Sequence, residues 1–420
     1  TNFVIYSQIK TLYFQFNRYK KYYSMNKINK LFTDFLENEK TAGIILIFCT
    51  IFSLIVTNSS FQIPYLEFWE TPLRLQFGDF NFFSHHGEAL SLTTFINDAL
   101  MAVFFLMIGL ELEREVYIGG LSNFKNALLP IMGALGGMFI PAGIYLYFNY
   151  GTETQPGAGI PMATDIAFAL GILSLLGKRV PLTLRIFLTA LAVIDDLGAI
   201  IVIAIFYTQD LSLFSLGTAL AIWVILIILN RLKVKSLIPY LIGGVIMWYF
   251  MLNSGVHATI TGVLLAFAIP FGDGSKNTNS YKLQAALHHP VSFLILPIFA
   301  LANTAIVIEG NFMDIATQHY SLGIFLGLFA GKPLGIILFT FLACILGLCK
   351  LPEGVDWKQM LGVGFLGGIG FTMSIFIALL AFDPVTHQDY INNSKFMILI
   401  TSLCSAVVGF FYLSFVYRKK

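Results

Sequence analysis

The run Ala190-Leu191-Ala192-Val193-Ile194-Asp195-Asp196-Leu197-Gly198 lies inside an apolar stretch from Leu182 to Thr208, with Arg185 near one end and Gln209-Asp210 just past the other. At about 1.5 Å per residue, a helix of that length slightly exceeds the roughly 30 Å hydrocarbon core of a bilayer, so two adjacent carboxylates fall near the midplane. Each charge there costs roughly 2.5 to 3.5 kcal/mol on insertion scales, which points to a cation or proton site. Neighbouring residues on a helix project about 100° apart, so both acids reach one place only if that place is a cavity within a bundle. The plainer alternative is a polar clamp between helices, which a single Asn would supply at lower desolvation cost.

Working outward, 57% of the 420 residues are hydrophobic and 11% charged. A soluble domain carries about a quarter charged residues, so the chain reads as an all-α polytopic membrane protein. A net charge of +2 argues against a nucleic acid or other polyanionic partner. Cys49, Cys344, Cys349 and Cys404 form no CxxC pair and read as buried free thiols. Phosphate-cradling loops and metal clusters are absent from the sequence, so no cofactor is expected.

Twelve apolar runs follow: Ala42–Thr57, Thr93–Leu112, Ala127–Phe148, Ile160–Leu176, Leu182–Thr208, Leu211–Leu229, Leu237–Leu252, Val256–Phe271, Val291–Ile308, Leu322–Leu348, Met360–Phe382 and Phe396–Tyr417. An even count places both termini on one side. With that side cytoplasmic, the inner segments hold nearly all the Lys and Arg and the outer ones only Arg74 and Lys395, as the positive-inside rule requires. Residues 41–417 are thus expected to form one transmembrane domain, with 418–420 as a cytoplasmic tail. Residues 1–40 form an N-terminal segment in which Met25 is the expected start and 1–24 an upstream extension. In the long outer loop, Leu73–Phe83 alternates around Gly78-Asp79 and predicts a β-hairpin with exposed edges, lying either on its own helices or against a second copy in a homodimer.

Further polar residues interrupt the apolar runs. Pro161 and the Ala163-Thr164-Asp165 cluster break the fourth run, where Asp165 is suited to meet the N–H groups of a half-helix or to act as a plain N-cap. Gly367-Gly368-Ile369-Gly370 breaks the eleventh. The two breaks fall in the middle members of two triplets, at about 127–208 and 322–417, that start from opposite membrane faces. Lys332, in Gly331-Lys332-Pro333, lies deep in the tenth run and needs a carboxylate partner, most plausibly Asp195; snorkelling to an interface is the alternative. Asp98 sits in the second run, and Glu111, Glu113, Arg114 and Glu115 end it. His288-His289 begin the ninth, forming with these a charged rim or a pH-responsive funnel. His257 opens the eighth run and reads as a hydrogen-bonded interfacial residue.

Taken together, NDALMAVFFLMIGLE (Asn97–Glu111), ATDIAFALG (Ala163–Gly171), ALAVIDDLGAI (Ala190–Ile200), SGVHAT (Ser254–Thr259), GKPLGI (Gly331–Ile336) and GIGFTMSIFIA (Gly368–Ala378) resemble the bacterial NhaA-type sodium/proton antiporters. The resemblance runs from about Thr41 to the end of the twelfth run. It implies inverted-topology repeats with two crossed discontinuous helices, an architecture of which these antiporters are themselves a type example. It also implies exchange of Na+ or Li+ for H+ in the inner membrane, electrogenic and pH-regulated. By the same resemblance, Asp195 and Asp196 bind cation and protons, Thr164 and Asp165 sit at the crossing, and Lys332 compensates charge. Glu111, Arg114, Glu115 and His288 would sense pH, with Asp98 and His257 in support. The chain departs from the family at Glu113, where relatives usually carry a base, and at Gln284, where they commonly carry a glutamate. A solute symporter would need a roomy polar site and a channel a continuous pore; neither is legible here.

Overall fold

The computed structural model describes residues 41–418 apart from 78–79, 86–87, 209–210 and 309–310. The expected start at Met25 and the Gly78-Asp79 turn lie outside them. Among the described residues the chain is helical almost throughout, and eight helices are long and apolar enough to cross a bilayer, or nine if one bent pair is a single span. In order, the helices are α1 (Thr41–Thr57), α2 (Gln62–Trp69), α3 (Leu92–Tyr117), α4 (Ala127–Asn149), α5 (Gln155–Leu175), α6 (Leu182–Phe206), α7 (Leu213–Arg231) and α8 (Ile238–Leu252). Then follow α9 (Ile260–Ala268), α10 (Asn279–Asn303), α11 (Phe312–Ala316), α12 (His319–Ile345), α13 (Trp357–Gly367), α14 (Phe371–Ala381) and α15 (Gln388–Arg418).

Three expected runs take shorter helices, α1, α8 and α9. The run from Val256 is helical only over the 9 residues of α9 because it begins in a turn closed by Ser254, whose hydroxyl accepts from Val256 N at 3.1 Å. At the far end, α15 starts at Gln388, eight residues before the expected Phe396, so Lys395 is buried inside the helix instead of lying in an outer loop. The apolar run understated the helix because its first two turns are polar.

One of the tightest helix crossings is between α4 and α12. Gly136 and Gly335 face each other there, and a Cβ on either would come within 2.1 Å of the other's carbonyl oxygen. No side chain fits between these backbones, the arrangement that small residues permit in membrane helices. This crossing fixes the depth of Lys332, one turn before Gly335.

Outside the helices, the loop after α2 holds two antiparallel ladders, β1 (Gln76–Phe77) with β2 (Phe80–Asn81) and β3 (Ser84–His85) with β4 (Glu88–Ala89), joined below by a Pro72–Ser91 bridge. Phe82 stacks on Tyr249 of α8 at 5.3 Å and Phe83 packs edge-on against Phe95 of α3 at 5.2 Å. One side of this β structure therefore rests on the protein's own helices.

Candidate functional site

Two interrupted helices meet at the centre of the bundle. In α5, a 3₁₀ half over Gln155–Met162 ends where Ala163 turns extended, and an α-helical half begins at Ile166. The sequence reading anticipated the break but not the 3₁₀ form of its first half, which Pro156 and Pro161 favour by removing amide donors. Opposite it, α13 and α14 are bent by 47° across Gly368-Ile369-Gly370. The glycines allow the close approach: a Cβ on Gly368 would lie 2.4 Å from Leu328 O.

Asp165 ties the breaks together. Its backbone N donates to Ile369 O at 2.7 Å, and its Oδ1 accepts from Phe168 N at 3.0 Å as the N-cap of the second half of α5. Its Oδ2 accepts from Thr372 N at 3.1 Å and from the Thr372 hydroxyl. One carboxylate therefore serves the N-termini of two half-helices, where partial positive charge gathers. Lys332 takes the complementary place, donating to Met162 O at the end of the 3₁₀ half and pairing with Asp195 Oδ2 at 2.7 Å. The expected Lys332–Asp195 pair is thus present, and both side chains are fully buried.

Thr164 lies within hydrogen-bonding reach of both Asp195 Oδ2, at 2.7 Å, and Gly367 O, at 2.8 Å. Asp195 Oδ1 and both oxygens of Asp196 are buried with no hydrogen-bond partner among the described residues. Folded proteins satisfy nearly all buried polar atoms, and each exception asks for an explanation. Asp196 lines a cavity of about 40 Å³ together with Asp165, Thr372, Glu111, His288 and Ser292. One water needs roughly 10–15 Å³ by this measure, so the space suits a small ion with a water or two. It is far below the roughly 300 Å³ from which pockets for organic ligands begin.

The structure gathers Glu111, Asp165, Asp196 and His288 around that one cavity. Arg114 and Glu115 point elsewhere: the Arg114 guanidinium sits 4.7 Å above the Tyr281 ring, and Glu115 accepts from Gly120 N at 2.7 Å. Glu113 is buried beside Ser280, 3.5 Å from its hydroxyl. Asp98 lies at the other end of α3, where its carbonyl accepts from Trp248 Nε1 at 3.2 Å, and His257 bonds the backbone of Tyr207. Neither touches the paired aspartates. Residues the sequence did not single out also build the site. Thr372 holds Asp165, Ser374 donates to Ile160 O at 2.7 Å, and Ser402 of α15 accepts from Phe371 N at 3.1 Å.

Residues 33–413 match the family described as Na+/H+ antiporter 1. The chain belongs to that family. Among curated relatives, "Na(+)/H(+) antiporter NhaA" of Flavobacterium psychrophilum is 61% identical over 393 residues, covering 94% of this chain and 98% of the relative. The protein of the same name from Cytophaga hutchinsonii is 55% identical, over 94% and 97% of the two chains. That of Escherichia coli O9:H4 is 48% identical over 381 residues, 90% of this chain and 96% of the relative. Every element of the site described above falls inside the matched region of this antiporter family.

Proposed function

We propose that this chain exchanges Na+ for H+ across a bacterial inner membrane, with Asp195 and Asp196 as the shared binding groups. The observation that carries the reading is the set of three buried carboxylate oxygens without partners, at a break between half-helices, in a member of an antiporter family. Carboxylates and water are the ligands a hard cation takes, and protons and Na+ (or Li+) then compete for the same oxygens. Thr164 and Asp165 frame the site, and Lys332 holds Asp195 in place while its own charge offsets that carboxylate.

If one Na+ displaces protons from both aspartates, each cycle moves net charge, and the membrane potential contributes about 2.3 kcal/mol per charge per 100 mV. Such exchange serves sodium and pH homeostasis. Glu111 and His288, on the cavity that leads to Asp196, are suited to make access pH-dependent, with Arg114 and Glu115 at the rim of the same helix; Asp98 and His257 support the bundle. We read the three shorter helices as spans, giving twelve with both termini cytoplasmic, and the segments 127–208 and 322–417 as inverted repeats whose discontinuous helices cross. We assign the β structure within Leu73–Phe83 to pairing across a homodimer.

Sodium-driven proton movement in proteoliposomes between about pH 6 and 9, with and without a potassium/valinomycin clamp, tests the reading. Proton flux that follows sodium and responds to imposed voltage is expected. Folded, inserted protein that moves no protons at any pH would overturn it, and counterflow of an organic solute would favour a symporter.

A further inference from the structure

Cys344 and Cys349 come together at the end of α12. Gly347, at φ 72°, turns the chain back: Gly347 N donates to Cys344 O at 3.1 Å and Leu348 N to Ala343 O at 3.0 Å. This closure brings the two sulfurs to 3.9 Å. Both are free thiols; Cys349 is buried and Cys344 half-buried. Cys349 lines a cavity of about 810 Å³ with Lys350, Glu353 and, on α6, Thr183, Phe187 and Ala190. This cavity shares no lining residue with the one at Asp196.

We propose that Cys344 and Cys349 form a two-thiolate site for a soft, low-coordinate cation of the Ag(I) or Cu(I) class. Zinc is a poor fit, because it takes four ligands and no group of three His, Cys, Asp or Glu exists among the described residues. Soft monovalent ions accept two sulfurs. Taking the zinc–thiolate bond of about 2.3 Å as a scale for metal–sulfur bonds, a straight sulfur–metal–sulfur unit spans about 4.6 Å, so sulfurs 3.9 Å apart need part by only about 0.7 Å. Each thiol releases its proton as its metal bond forms; one monovalent cation displaces two protons and leaves a unit of charge −1, beside Lys350 and Glu353.

The site has a mechanical link to the aspartates. Thr183 in the first turn of α6 donates to Glu353 O at 2.9 Å, so the loop carrying Cys349 is fastened to the helix that holds Asp195. Cys344 belongs to the helix that holds Lys332. A cation bridging the thiols stiffens the junction between those helices and slows exchange, a consequence that rests on the exchange function proposed above, whereas binding itself does not.

The probe is silver nitrate in chloride-free buffer, added to the purified full-length protein, followed by alkylation and peptide mass spectrometry. One equivalent is expected to protect Cys344 and Cys349 together while half-buried Cys404 is alkylated. Cys344→Ser should then need at least about tenfold more silver to protect Cys349. Independent protection of the two thiols, or unchanged silver affinity in Cys344→Ser, overturns the site. In proteoliposomes the same equivalent should slow sodium-driven proton movement at least about tenfold in the wild type and leave Cys344→Ser/Cys349→Ser untouched. Equal inhibition of that double variant, or none of the wild type when silver is bound, overturns the link to α6.

Discussion

Replacing Gly335 by Ala tests whether the α4–α12 crossing sets the geometry of the charged site. The new Cβ would sit 2.1 Å from Gly136 O, and reaching the 3.4 Å of ordinary contact needs about 1.3 Å of separation between the helices. Lys332 lies one turn away on the same helix, so its 2.7 Å contact with Asp195 opens to as much as about 4.0 Å, outside hydrogen-bonding range. Fully unpairing a buried ion costs about 3–5 kcal/mol, and a misplacement of about 1 Å in a reacting group is worth roughly 100-fold in rate. An exchange rate about 100-fold below wild type is therefore expected in the proteoliposome assay. Gly143→Ala, on the same α4 with nothing within 4 Å of its new Cβ, is the matched control and should exchange normally. Monodisperse Gly335→Ala protein with wild-type exchange would refute the reasoning, because it would mean either that the helices need not part or that the Lys332–Asp195 distance is immaterial.

Other consequences separate the two aspartates and their neighbours. Asp196→Asn should abolish exchange yet leave thermal stability unchanged in detergent, since Asp196 makes no hydrogen bond to lose; Asp195→Asn should lower the melting temperature by several degrees, because it strands buried Lys332 without its counter-ion. Thr372→Val removes one donor from Asp165 while keeping the backbone N–H, which should cost about 1–3 kcal/mol in stability, with Thr372→Ser restoring it; a neutral Thr372→Val in a thermal-shift measurement would argue against the shared cap. If sodium and protons compete, raising the pH removes the competitor, so the apparent KM for sodium should fall about tenfold per pH unit for each displaced proton, and a KM flat with pH would exclude competition.

Much of this site was legible because charge stands out against an apolar run. Asp195, Asp196, Asp165 and Lys332 were each the wrong residue for their surroundings, and the pairing of Lys332 with Asp195 followed from what a buried ammonium requires. Thr372 and Ser402 carried no such mark. Hydroxyl residues in membrane helices routinely bond the carbonyl a turn before, as Thr340 does to Ile336 O and Thr401 to Met397 O, both at 2.6 Å. Nothing in spacing distinguishes those from a threonine that reaches across to another helix. The limits of helices were also poorly marked where polarity and helicity part company: α15 begins in a polar stretch, and α9 fills only part of an apolar one.

Thr164 has a single hydroxyl proton and two oxygens within its reach. When Asp195 is ionised, the proton turns to the carboxylate, and Gly367 O at the end of α13 goes without its donor. Once Asp195 is protonated, its carboxyl donates to the hydroxyl, and the hydroxyl proton is released to the carbonyl. The charge state of a residue on one helix is in this way written into the hydrogen bonding of another, as a single bit read at the point where that helix bends.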